Sequence, residues 1–243
     1  MEVRFIVERT SPEDLAQFLA HVEVFGSLSE EGVLWLARRV PEMRLERGQI
    51  LYTPTQESRT IFVMLEGRVR LYKILGSAEL TLEIVDAGHL FGDVPALAGR
   101  QRGAYAEALD PSHLVLLNIP LLRHLVQENP EVGLRLAERL ARRLYEYRER
   151  MADVALKKVS ARLAGLLLHL LETEGMVDRE GVGIRTRYTH EQFATMIGAR
   201  RVAVSRAMGE LRGLAAVEVK GRRVYLKDEN VLRRAAEVTR REA

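Results

Sequence analysis

The chain has 243 residues and no cysteine. That absence excludes a disulfide framework, a thiolate-ligated zinc and a cysteine-held iron–sulfur cluster. No apolar run approaches the roughly 18 residues that a membrane span requires, so no membrane partner is expected. Met1-Glu2-Val3-Arg4-Phe5 leads into mixed charge rather than an apolar core, which is unlike a signal peptide and points to a cytoplasmic protein. Catalytic signatures are missing too. There is no G-x-x-x-x-G-K-[ST] phosphate loop, no H-E-x-x-H and no G-x-S-x-G, so the sequence gives no reason to expect an enzyme.

Charge of one sign is also scarce overall: 37 Lys and Arg face 34 Asp and Glu, a net +3. Its distribution is uneven. From Arg185 to Leu226 there are nine Lys/Arg against three Asp/Glu, the footprint expected of a nucleic-acid contact. The same stretch has the pattern of a helix-turn-helix. Thr189 can cap a first helix, with Gln192 placed to complete a capping box. Phe193, Ala194 and Ile197 form one apolar face, and Gly198 suits the tight turn. In a second helix Val204, Ala207, Met208 and Leu211 face inward, leaving Arg200, Arg201, Val202, Ser205 and Arg206 to meet base edges and phosphates. Thr189 and His190 sit at the start of the first helix, within reach of the same surface. Residues 217–226 then alternate apolar and polar on both sides of Lys220-Gly221, a β-hairpin that would serve as a wing. Its Lys220, Arg222 and Arg223 would lie along a phosphate backbone. An ordinary helical hairpin with a solvated basic face is the competing interpretation of the helices alone.

Upstream, Ser11-Pro12 and Ser29-Glu30 read as helix starts. From Met43 to about Ile119, short alternating segments between glycines argue an antiparallel sandwich or barrel. After Pro130 a long helix is expected to run to about Leu156. On it Leu136, Leu140, Leu144, Tyr147 and Met151 recur at steps of three and four, a stripe suited to a two-stranded coiled coil and a homodimer, or to packing on its own domain. Arg139, Arg142 and Arg143 fall on its other faces. Lys157-Lys158 marks a hinge, Val159 to Leu171 forms a further helix, and Glu174 to Gly183 reads as a turn-rich loop.

This order of elements resembles the cyclic-AMP receptor protein / fumarate-nitrate regulator (CRP/FNR) family of bacterial transcription regulators. Residues 48–52 and 61–72 look like the family's first roll strands. Gly88-His89-Leu90-Phe91-Gly92-Asp93 looks like its G-x-x-x-G-E turn, and residues 197–206 are similar to its recognition element. The resemblance implies an α+β fold: an N-terminal sensor roll (1–130), a dimerisation helix with hinge (131–157) and a winged helix-turn-helix (158–243). It also implies double-stranded DNA, a second copy of the chain and RNA polymerase as partners, with activation of transcription at a palindromic operator. The recognition stretch is more similar to the nitrogen-control branch of the family than to the cyclic-AMP receptor.

The effector site departs from the family pattern. Asp93, Arg102 and Gly103 stand where cyclic-AMP binders have Glu, Arg and Ser, and Tyr147-Arg148 replace a polar pair that meets the adenine. With Gly92 these residues form the candidate effector site for an unidentified small molecule. Alternatives are cyclic AMP itself, or a roll filled by its own side chains with Arg102 salt-bridged to Asp93 or Glu107. Haem would need His89, His113 or His124 as axial ligand, and scattered histidines are a poor set for it. Two other functions compete with a DNA-binding regulator: an enzyme carrying a regulatory nucleotide-binding domain, and an interaction module that keeps the fold without DNA.

Overall fold

The computed structural model describes residues 10–76 and 78–238. They divide into two compact units, one built on residues up to Leu144 and the other on Tyr145 onward together with Ala78–Thr81.

The first unit begins with two short helices. α1 (Pro12–Ala20) starts where the Ser11 side chain accepts from the Asp14 amide, and α2 (Glu30–Ala37) where Ser29 accepts from Gly32. Each serine satisfies one of the amides that a helix start leaves without a partner. Eight strands follow. β1 (Glu42–Leu45), β3 (Thr60–Glu66), β6 (Leu90–Phe91) and β8 (Ser112–Asn118) form one sheet, in the order β1-β8-β3-β6. β2 (Ile50–Tyr52), β4 (Arg68–Leu75), β5 (Ala78–Asp86) and β7 (Tyr105–Ala108) form the other, in the order β2-β7-β4-β5. A short helix, α3 (Asp93–Leu97), follows β6.

β3 reads Ile61-Phe62-Val63-Met64-Leu65 with no polar alternation because both its faces are covered. Phe62 and Met64 point between the sheets, with Tyr52, Val69, Leu71, Phe91 and Leu114. Ile61, Val63 and Leu65 point the other way, into a helical layer with Leu15, Leu19, Leu36 and Leu122. β4 keeps the alternating pattern: Val69 and Leu71 face inward, while Arg70 pairs with Glu107 at 3.2 Å and lies over the Tyr72 ring. The α+β fold expected from the sequence is therefore present.

α4 (Ile119–Glu128) is capped by Asn118, and α5 (Pro130–Leu156) follows after one residue. Here the expected seam needs correction. Leu136 is buried in the core of its own unit with Val132, and Leu140 packs against that core. Leu144, Tyr147 and Met151 of the expected seam stay exposed, and Leu144 and Met151 fall on an exposed row with Leu134, Ala137, Ala141, Arg148 and Ala155, spaced three and four apart. Leu134, Leu144 and Met151 are 54%, 62% and 72% exposed. A helix carrying two apolar stripes looks the same in sequence whichever of them meets its own domain.

The second unit holds α6 (Val159–Glu174), β9 (Gly175–Asp178), β10 (Gly181–Ile184), α7 (His190–Ile197), α8 (Arg201–Gly213), β11 (Val217–Lys220), β12 (Arg223–Leu226) and α9 (Glu229–Glu237). Its sheet runs β11-β12-β10-β9. Leu163, Leu167, Phe193, Val204, Leu211 and Leu232 centre its core. Residues 174–183, expected as a loop, instead form the β9–β10 hairpin, with Val177 opposite Val182. Glycines at 175, 181 and 183 obscured that pattern. Gly183 is required there, because a Cβ would sit 2.7 Å from the Tyr225 ring of the neighbouring strand.

Gly67, between β3 and β4, has φ +80°, and a Cβ there would lie 2.4 Å from the Pro111 carbonyl oxygen. Gly48 has the same φ with open space around it. Gly48→Ala should therefore cost only the left-handed backbone penalty of about 1–2 kcal/mol. Gly67→Ala adds a backbone overlap and should cost at least about 3 kcal/mol. Urea unfolding of the two variants checks this; equal midpoints would show that the β3–β4 turn relaxes around the added methyl.

Candidate nucleic-acid interface and sensor site

The helix-turn-helix is set by three local devices. Thr189 Oγ1 accepts from the Gln192 amide at 3.2 Å, while Gln192 Oε1 accepts from the Thr189 amide at 2.8 Å, a reciprocal capping box. Gly198 adopts φ 62°, ψ 48° and ends α7, and the Ala199 amide closes back on the Ala194 carbonyl. Arg162, buried on α6, donates from Nη1 to the Ile197 carbonyl at 2.8 Å and secures the end of α7 from behind. Nothing local in the sequence distinguishes that arginine from the other charged residues of its helix, so its role is visible only in the fold.

Val204, Ala207, Met208 and Leu211 bury one side of α8. Arg201, Val202, Ser205 and Arg206 are exposed on its other side, and Arg200 is exposed at its N-cap. Val202 is 64% exposed at the first turn, where a large apolar side chain gains nothing from water. His190 opens α7, and its Nδ1 lies 2.8 Å from Ser205 Oγ, tying the two helices together.

The wing turns through Gly221 and Arg222, with φ 55° and 67°. Two successive left-handed residues are the hairpin turn whose twist matches the strands. The three wing cations are not equivalent. Lys220 pairs with Glu180 and Glu218, and the Glu180 hydrogen bond raises its pKa. Arg223 pairs with Asp178 at 3.5 Å and donates to the Arg185 carbonyl. The Glu180 amide and these neighbours hold the Asp178 carboxyl below its ordinary value. Arg222 stands exposed at the tip and has no such acidic partner among the described residues. Nothing in the sequence marks the acids of the β9–β10 hairpin as wing partners, because their segment has the pattern of a turn-rich loop.

In the first unit Arg102 is buried, only 9% exposed. Its Nη1 donates to the Thr60 carbonyl at 2.9 Å and the Gly92 carbonyl at 3.3 Å, and its guanidinium lies over the Tyr52 and Phe62 rings. Burial lowers the Arg102 pKa and raises that of the Tyr52 phenol. The expected salt bridge from Arg102 to Asp93 or Glu107 is not formed. Glu107 pairs with Arg70, and Asp93, 1% exposed, is held by Arg143 at 3.0 Å and Arg139 at 3.9 Å. Arg143 also pairs with Glu83. Helical periodicity places Arg139 and Arg143 off the apolar stripe of the long helix. A sealed carboxylate needs a partner, and these two side chains face it.

Gly92 takes φ 71° at the start of α3, where a Cβ would come within 2.8 Å of Arg102 Nη1. Gly103, at φ 67°, donates its amide to the Pro54 carbonyl. Tyr147 and Arg148 lie further along α5, exposed, in the second unit. The three histidines weighed as haem ligands have separate surroundings. His113 Nε2 is 2.8 Å from Glu42, the His124 ring lies tilted against Trp35, and His89 Nδ1 contacts the Ala87 carbonyl.

Comparison with known proteins agrees with this architecture. Residues 42–129 match the cyclic nucleotide-binding domain, and residues 161–235 match the Crp-like helix-turn-helix domain. The chain is 31% identical to the transcriptional regulator LdrP of Thermus thermophilus over 79% of its own length and 95% of that protein. It is 25% identical to the global nitrogen regulator of Synechococcus elongatus, over 74% of the chain and 83% of that protein. The crystal structure of a CRP-family transcriptional regulator from Thermus thermophilus superposes with a TM-score of 0.68 and 29% identity, covering 80% of this chain and 96% of that one. With a nucleotide-binding-type roll followed by a Crp-like helix-turn-helix, this chain belongs to the CRP/FNR family of DNA-binding transcription regulators and is not an enzyme.

Proposed function

We propose that the chain acts as a homodimeric transcription activator that reads a palindromic operator with α8 and recruits RNA polymerase. The observation that carries this is the exposed first turn and a half of α8. Arg201 and Arg206 are suited to guanine O6 and N7, and Val202 to a thymine methyl. Thr189, His190 and Arg200 flank this face and suit the phosphates beside it. In this division of labour the roll up to residue 130 senses, residues 131–157 join two copies, and residues 158–243 bind DNA. Half-sites for such a dimer lie about 34 Å apart, one turn of the duplex.

The two copies meet, in this proposal, along Leu134, Ala137, Ala141, Leu144, Met151 and Ala155. Small alanines allow close approach, and the larger residues supply buried area. The sensor reading follows from Arg102. Both of its hydrogen bonds leave from Nη1, so Nε and Nη2 are available to a small anion. Asp93 is already occupied by Arg139 and Arg143, which disfavours its use for a ribose hydroxyl. A compact anionic effector suits this site better than cyclic AMP. If one binds, Gly92 and Gly103 remain its candidate neighbours within the same unit. The M. tuberculosis relative, 22% identical over 90% of this chain, is named as cAMP-activated, and that is the second reading.

Leu144→Arg and Met151→Arg should each give a monomer by light scattering at micromolar concentration, with operator binding lost. Leu136→Ala should instead lower folding stability by about 2–5 kcal/mol and leave the dimer intact once folded. The opposite pattern would return the seam to Leu136.

Selection from a random DNA pool tests the readout. Arg201→Ala should cost about 1–3 kcal/mol and relax one guanine position. Arg222→Ala should weaken binding to all sequences and reduce the salt slope by about 1. Lys220→Ala and Arg223→Ala should change that slope less, because their charges are already paired. Equal slopes for all three variants would show that DNA displaces the internal acids.

A further inference from the structure

Ser205 is exposed on the proposed reading face of α8, yet its hydroxyl already has two protein partners. Oγ lies 3.1 Å from the Arg201 carbonyl oxygen and 2.8 Å from His190 Nδ1. A serine hydroxyl has one hydrogen and two acceptor positions. The Arg201 carbonyl can only accept. If the hydroxyl donates to it, His190 Nδ1 carries a hydrogen and donates to Oγ. If His190 is the other tautomer, its bare Nδ1 accepts the hydroxyl hydrogen instead. In both cases the one hydrogen of Ser205 is engaged within the protein, and only lone-pair density remains toward the groove.

The arrangement is held firmly. His190 is the first residue of α7, next to the Thr189–Gln192 capping box. Gly198 fixes the turn to α8, and Arg162 fixes the end of α7 through the Ile197 carbonyl. The backbone that carries His190 is therefore placed beside Ser205 by these caps and turns.

This matters because serine is ordinarily an ambiguous reader. A freely turning hydroxyl can donate to guanine, to thymine O4 or to adenine N7, or accept from an exocyclic amine. An acceptor-only hydroxyl favours the amines, adenine N6 and cytosine N4. We propose that His190 is a specificity-determining residue: together with the Arg201 carbonyl it holds the Ser205 hydroxyl as an acceptor that selects an amino-bearing base, adenine or cytosine, at its operator position. The proposal rests on α8 being the reading helix.

The test uses the full-length protein and duplex DNA. The operator is first selected from a random pool, and the base facing Ser205 is identified as the position whose preference is lost in Ser205→Ala. The expected base is adenine or cytosine. Replacing it by the analogue lacking the exocyclic amine, purine or 2-pyrimidinone, should weaken binding by the unmodified protein about 3- to 10-fold, the range of one hydrogen bond. His190→Ala, which leaves only the Arg201 carbonyl to hold the hydroxyl, should discriminate between the two operators less than the unmodified protein does, and His190→Ala/Ser205→Ala should match Ser205→Ala. The preference for guanine that depends on Arg201 should persist in His190→Ala, which also shows that the variant is folded. Guanine or thymine at the Ser205 position, or full discrimination retained by His190→Ala, overturns the inference while leaving the α8 reading in place. A selected operator indifferent to Ser205→Ala and Arg201→Ala alike overturns both.

Discussion

The carboxylate of Asp93 sits at the start of α3, almost wholly out of water, and an ion in that position must be compensated by charge within the fold. Arg143 and Arg139 of α5 provide the compensation, and Arg139 also reaches the Leu90 carbonyl. These contacts fix the rotation of α5 about its axis. Val132, Leu136, Arg139 and Arg143 share the side turned to the roll and its helical layer. Leu134, Ala137, Ala141 and Leu144 are thereby turned outward. One buried charge thus helps determine which side of α5 is left exposed. It also ties the segment beside the proposed anion site to the helix that would carry its signal.

A second constraint organises the DNA-binding unit. Acidic residues on the β9–β10 hairpin and on β11 neutralise Lys220 and Arg223, and the turn leaves Arg222 projecting alone. Arg222 holds a left-handed conformation that costs a non-glycine residue some stability, and glycine or asparagine would sit there with less strain. A basic residue kept at such a position fits a role at the wing tip. The sequence offers three cations for the wing, and of these Arg222 has no acidic partner among the described residues.

Several features were legible from residues alone. Thr189, Gln192 and Gly198 act locally, through caps and a permitted backbone angle, so the helix-turn-helix could be placed within a residue or two. Ser11 and Ser29 marked helix starts for the same reason. Lys220-Gly221 located the wing because strand alternation and a turn glycine are both short-range signals. Other features were hidden. The β9–β10 hairpin depends on Gly183 lying against Tyr225, more than forty residues away. Leu136 and Leu134 belong to the same helical pattern, and only the packing of the roll separates them.

By itself the sequence determined the helix starts at Ser11, Ser29 and Thr189, the turn at Gly198 and the amphipathic helices of the DNA-binding unit, because each follows from side-chain periodicity and local backbone chemistry, while the α+β fold was what the resemblance to the CRP/FNR family implied. The tertiary structure alone decided the pairing of charges: Asp93 with Arg143 rather than Arg102, Lys220 with Glu180, His190 with Ser205. A charge or hydroxyl takes the partner that burial and distance bring to it. Sequence separation does not encode those distances.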